Sequence, residues 1–271
     1  MCIRDRPTFE DAIRETVEAV ECSREFVIES GYATIPEGER LLIMETPSFM
    51  RPIMPFGAYS PPGKFDKFQV GLYWMSRPSS DAGQTLEIHN RGAIFSTSIH
   101  EGYPGHHLQL TCANTRKSIT RLLTLGVEFG EGWAHYCEEK VAELGFANDL
   151  AVELERTNDM VWRAVRIIVD VKLSRGEINF NEAVDLLRKE SGFDIPSCIS
   201  EIKRYTYSPG QQLSYLVGKK LILDLHDKVK KESGSNFNLK KFHDSMLYAG
   251  SLPMKYMEKV VENSFFKKEA L

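Results

Sequence analysis

The sequence predicts a mainly α-helical fold with a small β-sheet or hairpin near residues 40–75, and three observations predict it. Apolar residues recur at helical spacing from residue 7 to 30 and through nearly everything beyond residue 92. Between residues 40 and 75 the pattern changes to two short apolar runs, "RLLIMETPSFM" and "FQVGLYWM", split by the Pro- and Gly-rich "RPIMPFGAYSPPGKFDK". Neither an internal repeat nor a low-complexity linker divides the chain, so residues 7–271 are expected to form a single mostly helical domain.

In the first helix Phe9, Ile13, Val17, Val20 and Phe26 supply the apolar positions, with Pro7 near its start and Gly31 as its stop. The two apolar runs then read as strands around a long loop. Further helices are predicted over roughly 92–117 with a break at Pro104, then 119–144, 150–175, 180–190, 195–206 and 209–232, followed by two short C-terminal ones. The opening "MCIRDR" reads as a leader foreign to the rest of the chain, so residues 1–6 are set apart.

At 271 residues and 42% hydrophobic content the chain can bury a full core. A net charge of −4 with no long basic run removes the footprint that a phosphate backbone demands, so no nucleic-acid partner is expected. No apolar stretch reaches the length of a membrane span. Cys2, Cys22, Cys112, Cys137 and Cys198 are odd in number, scattered and free of CxxC spacing, which argues against a disulfide framework or a thiolate zinc knuckle.

The chemistry concentrates in "HEGYPGHHLQ", residues 100–109. A zinc-peptidase helix carries HExxH, two histidines one turn apart with the glutamate beside the metal-bound water. Here the fifth position is Pro104. On a regular helix His100 and His107 would lie about 10 Å apart along the axis, too far for one ion. Pro104 and Gly105 favour a kink or bulge. A two-residue bulge would bring His106 to the place of the second histidine, with Glu101 still beside His100; His107 is the alternative.

The third ligand of an open zinc site must come from elsewhere. In "RLLTLGVEFGEGWAHYCEEKVAEL", Glu128, Glu131, His135 and Glu138 share one stripe of an otherwise apolar helix. A row of acids is ordinarily a helix's wet face; its pairing with the histidine cluster some thirty residues upstream makes a His, His, Glu site, with His135 as a further alternative. Gly130 and Gly132 in mid-helix mark the close approach of another backbone. In "EIKRYTYSPGQQLSYLVGKK", Tyr205 and Tyr215 could donate to a developing oxyanion, while Arg204, with Gln211 beside it, could hold a substrate. Arg163 and Arg166 share a helix with Asp159 and Asp170 and read as structural ion pairs.

In this order, "HEGYPGHHLQ", "GEGWAHYCEE", "VWRAVRIIVDVKLSRG" and "RYTYSPGQQLSYLVGK" resemble the C-terminal half of the bacterial DUF885 family, from about residue 40 to beyond residue 220. That family is similar to zincin-type metallopeptidases, helical proteins that use an HExxH helix and a downstream glutamate. The resemblance implies a zincin-like fold, a zinc ion held by His100, His106 and Glu131, and a chain that is the C-terminal part of a longer protein. Relatives often carry leucine where His135 stands, and a histidine after "VDTG" where this chain has Ser174. The expected function is a zinc-dependent peptidase, possible forms being a carboxypeptidase or dipeptidyl carboxypeptidase, acting on peptide substrates with Glu101 as general base. Tyr215 or Tyr205 would stabilise the oxyanion, and the strand near 68–75 would pair with the substrate as an edge strand. The competing expectation is a non-catalytic metal- or ligand-binding helical protein. A di-iron centre is disfavoured, because none of the seven histidines follows a glutamate by three residues.

Overall fold

Thr8 opens the first helix, its hydroxyl accepting the backbone N–H of Asp11. In this computed structural model, which describes residues 8–51, 54, 57–77 and 89–266, α1 runs Phe9–Glu29. Its buried face is Phe9, Ala12, Thr16, Ala19, Val20, Ser23 and Val27, while Val17 points outward. The hydroxyls of Thr16 and Ser23 are satisfied by donating to the carbonyls of Ala12 and Ala19, so small polar residues can occupy the core side. The segment read as a foreign leader lies outside the described residues.

Three strands follow rather than two. β1 (Glu39–Glu45) pairs in parallel with β3 (Gln69–Met75), and β2 (Gly57–Ser60) pairs antiparallel with β3, giving the order β1-β3-β2. The extra strand, "GAYS", comes from the Pro- and Gly-rich segment expected to be loop. The strand near 68–75 is therefore central and not an edge: β1 takes its hydrogen bonds on one side and β2 on the other, which corrects the expectation that a substrate adds to it.

Beyond the sheet the mainly helical expectation holds. α2 (Arg91–Thr97) passes into a π-helical turn, Ser98–Gly102, and α3 (His106–Asn114) begins after it. The helix expected over 119–144 is two, α4 (Ile119–Leu123) and α5 (Val127–Glu143). They part at Gly126, whose N–H is drawn 2.7 Å from the Ser251 carbonyl. Then come α6 (Leu150–Ser174), α7 (Phe180–Ser191), α8 (Ile195–Tyr207), a short 3-10 turn at Gln211–Leu213, α9 (Ser214–Ser233), α10 (Leu239–Leu247) and α11 (Met254–Phe266).

The main core joins α1, the sheet, α3, α5 and α9–α11 around Trp133, Phe129, Tyr136 and Phe242; a second cluster forms where α6, α7 and α8 meet around Val169, Leu187, Ile202 and Tyr205. α5 lies directly on α9 where Gly132 meets Gly218: a Cβ on Gly132 would sit 2.3 Å from the Gly218 carbonyl carbon. Gly130, read with Gly132 as a point of close approach, faces open space. No helix among the described residues is long and apolar enough to cross a membrane.

Candidate metal centre

The π-turn, not a simple kink, is what gathers the histidines. His100 lies in it, the Tyr103–Pro104 peptide that follows is cis, and the N–H of Gly105 returns to the Ile99 carbonyl at 3.0 Å. Only glycine fits there, because a Cβ would fall 1.9 Å from the His100 carbonyl oxygen. From α5, Trp133 clamps this fold-back by donating its Nε1–H to the Pro104 carbonyl at 2.8 Å. His106, the first residue of α3, is thereby set with its ring 4.7 Å from that of His100 and perpendicular to it.

Glu131 of α5 faces both rings. Its Oε2 lies 3.7 Å from His100 Nε2 and 3.4 Å from His106 Nε2, and the three candidate ligand atoms all fall within 4.8 Å of one another. Tetrahedral zinc with bonds of about 2.0–2.1 Å sets its donors roughly 3.3–3.4 Å apart, so the two imidazoles and the carboxylate fit such an ion in chemistry and spacing. On its far side His100 Nδ1 lies 2.6 Å from Glu138 Oε1, the outer carboxylate that metal-binding histidines usually have.

The charges of the cluster are tightly coupled. Burial favours neutral His100, but Glu131 and Glu138 outweigh it and lift its pKa to about 10 in the metal-free protein. Burial likewise opposes ionisation of Glu131, yet His100 and His106 hold its carboxyl well below the usual range. Burial pushes His135 down to about 4; the pull of Glu138 opposes this, and the charge of Arg163 adds to it.

The profile of a family described as "Bacterial protein of unknown function (DUF885)" matches residues 5–261. The chain belongs to the DUF885 family. Its fold is similar to the crystal structure of a "putative lipoprotein" from Colwellia psychrerythraea, with a TM-score of 0.85 and 26% identity, over 96% of this chain and 43% of that one. A second "putative lipoprotein", from Shewanella oneidensis, gives a TM-score of 0.78 and 25% identity over 94% of this chain and 46% of that one. This DUF885 chain thus spans less than half the length of either. Comparison with curated proteins gives no match.

Around the centre of this DUF885 protein the other candidates separate. Glu101 is half-buried in the π-turn and makes no hydrogen bond or ion pair among the described residues, while its charge reaches His100, Tyr59 and Tyr73. Tyr215, near the start of α9, is buried against the guanidinium of Arg166 at 4.2 Å; burial and the charge of Glu131 raise its pKa. Its hydroxyl has no hydrogen-bond partner among the described residues. Tyr205, by contrast, donates to Glu201 Oε2 at 2.9 Å, and Arg204 gives two N–H bonds to the same carboxylate at 2.9 and 3.3 Å. Gln211 lines a cleft of about 560 Å³ with Glu128, Ser214 and Val217. Both nitrogens of His107 are taken, Nε2 by Glu39 at 2.7 Å and Nδ1 by the Tyr59 hydroxyl at 2.9 Å. His135 lies between Glu138 and Arg163, with Nδ1 3.1 Å from Glu138 Oε2 and Nε2 3.0 Å from Arg163 Nε.

Three residues were singled out in the sequence without the partners they have in the fold. Glu138 stood in the acidic stripe only as one of the candidates for a third ligand, yet it is buried between His100 and His135. Arg163, read as a structural ion pair, bonds both Asp159 and His135. Ser174 bonds Asp170, which also accepts the N–H of Gly210 at 2.7 Å.

Proposed function

We propose that this chain carries the metal centre of a zinc-dependent, zincin-like peptidase. The observation that carries the reading is the convergence of His100 Nε2, His106 Nε2 and Glu131 Oε2, with Glu138 behind His100. Zinc bound there would polarise a scissile carbonyl and acidify water.

The chain's own groups then divide the work. Glu101, adjacent to His100 and without a hydrogen-bonded partner among the described residues, takes a proton from the attacking water and returns it to the leaving amine. Tyr215, whose hydroxyl is uncommitted among the described residues, donates to the oxyanion. Tyr205 and Arg204 are bound to Glu201 within α8, and Glu201 in turn lies 3.7 Å from Arg166 of α6, so their contribution is to hold the acid that ties α8 to α6; Arg204 keeps guanidinium donors beyond the two that Glu201 takes for a peptide carboxylate.

The test is elemental analysis of the purified chain beside His100→Ala and Glu131→Ala. Near-stoichiometric zinc that is lost in both variants supports the centre; a folded wild type without metal refutes it. With zinc present, a peptide library read by mass spectrometry should show cleavage that Glu101→Gln abolishes while metal is kept. Zinc without any cleavage would instead favour a non-catalytic metal-binding protein.

A further inference from the structure

The protons around His135 can be placed from its neighbours. A guanidinium carries only donors, so the Nε–H of Arg163, 3.0 Å from His135 Nε2, requires a lone pair on that nitrogen. The ring proton of His135 then sits on Nδ1 and is donated to Glu138 Oε2 at 3.1 Å. Glu138, an acceptor at both oxygens, takes the Nδ1–H of His100 on the other, at 2.6 Å. His100 is left presenting Nε2 towards Glu131. Arg163 is fixed in turn by Asp159, 2.6 Å from its Nη1, and by the face of Trp162, 4.1 Å from its Cζ.

We propose that Arg163, His135 and Glu138 form a tautomer lock that holds His100 as an Nε2 ligand. The inference rests on the metal-centre reading above and names positioning residues for it. It also decides between two groups of side chains. His100, His135 and Glu138 likewise bring candidate ligand atoms within 4.8 Å of one another. In that group, however, both His135 nitrogens are spent, and a cation would lie against the guanidinium of Arg163. The second group is the lock, and the ion belongs to the first.

Two substitutions separate the lock from a packing or ligand role. In His135→Gln the side-chain carbonyl can accept from Arg163 while the amide N–H donates to Glu138, which keeps the polarity of the chain. In His135→Leu the site stays filled, but Arg163 Nε and Glu138 Oε2 lose their partner. Zinc affinity, measured by competition with a chelator on the full chain, should fall about 10–100-fold in His135→Leu and stay within a few-fold of wild type in His135→Gln. Nitrogen-15 spectra of the metal-free wild type should show His135 protonated at Nδ1 and bare at Nε2, a readout that needs no variant to fold. Equal losses in both variants, no loss in His135→Leu, or an Nε2-protonated His135 would overturn the lock. A wild type that takes up no zinc overturns the metal reading and the lock's purpose with it; the His135 spectrum tells whether the hydrogen-bond chain survives that failure.

Discussion

Replacing Gly132 with alanine, beside Gly130→Ala as its control, tests whether the α5–α9 contact sets the geometry of the centre. The two glycines are two residues apart in one helix, and alanine gains about 1 kcal/mol over glycine in a helix interior. At Gly130 the new methyl meets open space, so that gain stands and the melting temperature should rise by about 2–4 °C. At Gly132 the methyl would lie 2.3 Å from the Gly218 carbonyl carbon and 2.6 Å from Gly218 Cα, where ordinary contact begins at 3.4 Å. Both obstacles are backbone, so α5 and α9 must part by roughly 1 Å, at an overpacking cost of about 1–3 kcal/mol. Glu131 rides on the adjacent position of α5, and metal bonds tolerate only about 0.2 Å. Gly132→Ala should therefore melt below Gly130→Ala and lose at least about tenfold in zinc affinity, roughly the lower bound for disturbed metal support. Thermal melting by circular dichroism and chelator competition read the two effects. Equal melting temperatures with unchanged zinc affinity would refute the reasoning.

The neighbouring histidines should part company on substitution. His106→Ala should lose the metal, whereas His107→Ala should keep it but destabilise the fold by about 1–3 kcal/mol, since half-buried Glu39 and Tyr59 each lose a partner; elemental analysis and denaturant melts check both. The raised pKa of His100 fixes a pH dependence. Its pairing with Glu131 and Glu138 stabilises the metal-free protein fully below the ordinary histidine value near 6.5, and that stability is lost as pH rises through about 10. Zinc must displace the same proton, so the apparent affinity should climb about tenfold per unit between roughly pH 7 and 9; a flat profile would contradict it. Tyr215→Phe should cut kcat by about 10²–10³ with zinc content and KM near wild type, while Tyr205→Phe, which removes a bond to Glu201, should act on stability instead.

Helices were legible because burial imposes a period of 3.6 on the sequence, and most boundaries fall within a residue or two of those predicted. What failed had non-local causes. β2 shows no alternation, since all four of its residues are half-buried, and only pairing with β3 makes "GAYS" a strand. The break before α5 depends on Ser251, more than a hundred residues away, capturing the N–H of Gly126. The buried face of α1 is set by what lies against it: Val20 contacts the π-turn at Gly102, leaving Val17 in solvent.

The candidate site divides along the same line. "HEGYPGHH" announces its own fold-back, because proline and glycine restrict the backbone locally, so the proximity of His100 and His106 could be read from the sequence. Glu138 could not. Seven residues after Glu131 on one helix face, it has the spacing of a solvated acid, and only the arrival of His100 from 38 residues upstream turns it into a buried acceptor. The Glu201, Arg204, Tyr205 trio lay nearer to hand: separations of three and four in a helix bring such side chains together, and both distal groups do reach Glu201. Ser174 makes the converse point. A serine cannot replace the cationic or acid–base reach of a histidine, but it bonds the Asp170 carboxylate that also holds Gly210 in the turn leading into α9. The same carboxylate thus ties α6 to the turn that leads into α9, on which Tyr215 lies.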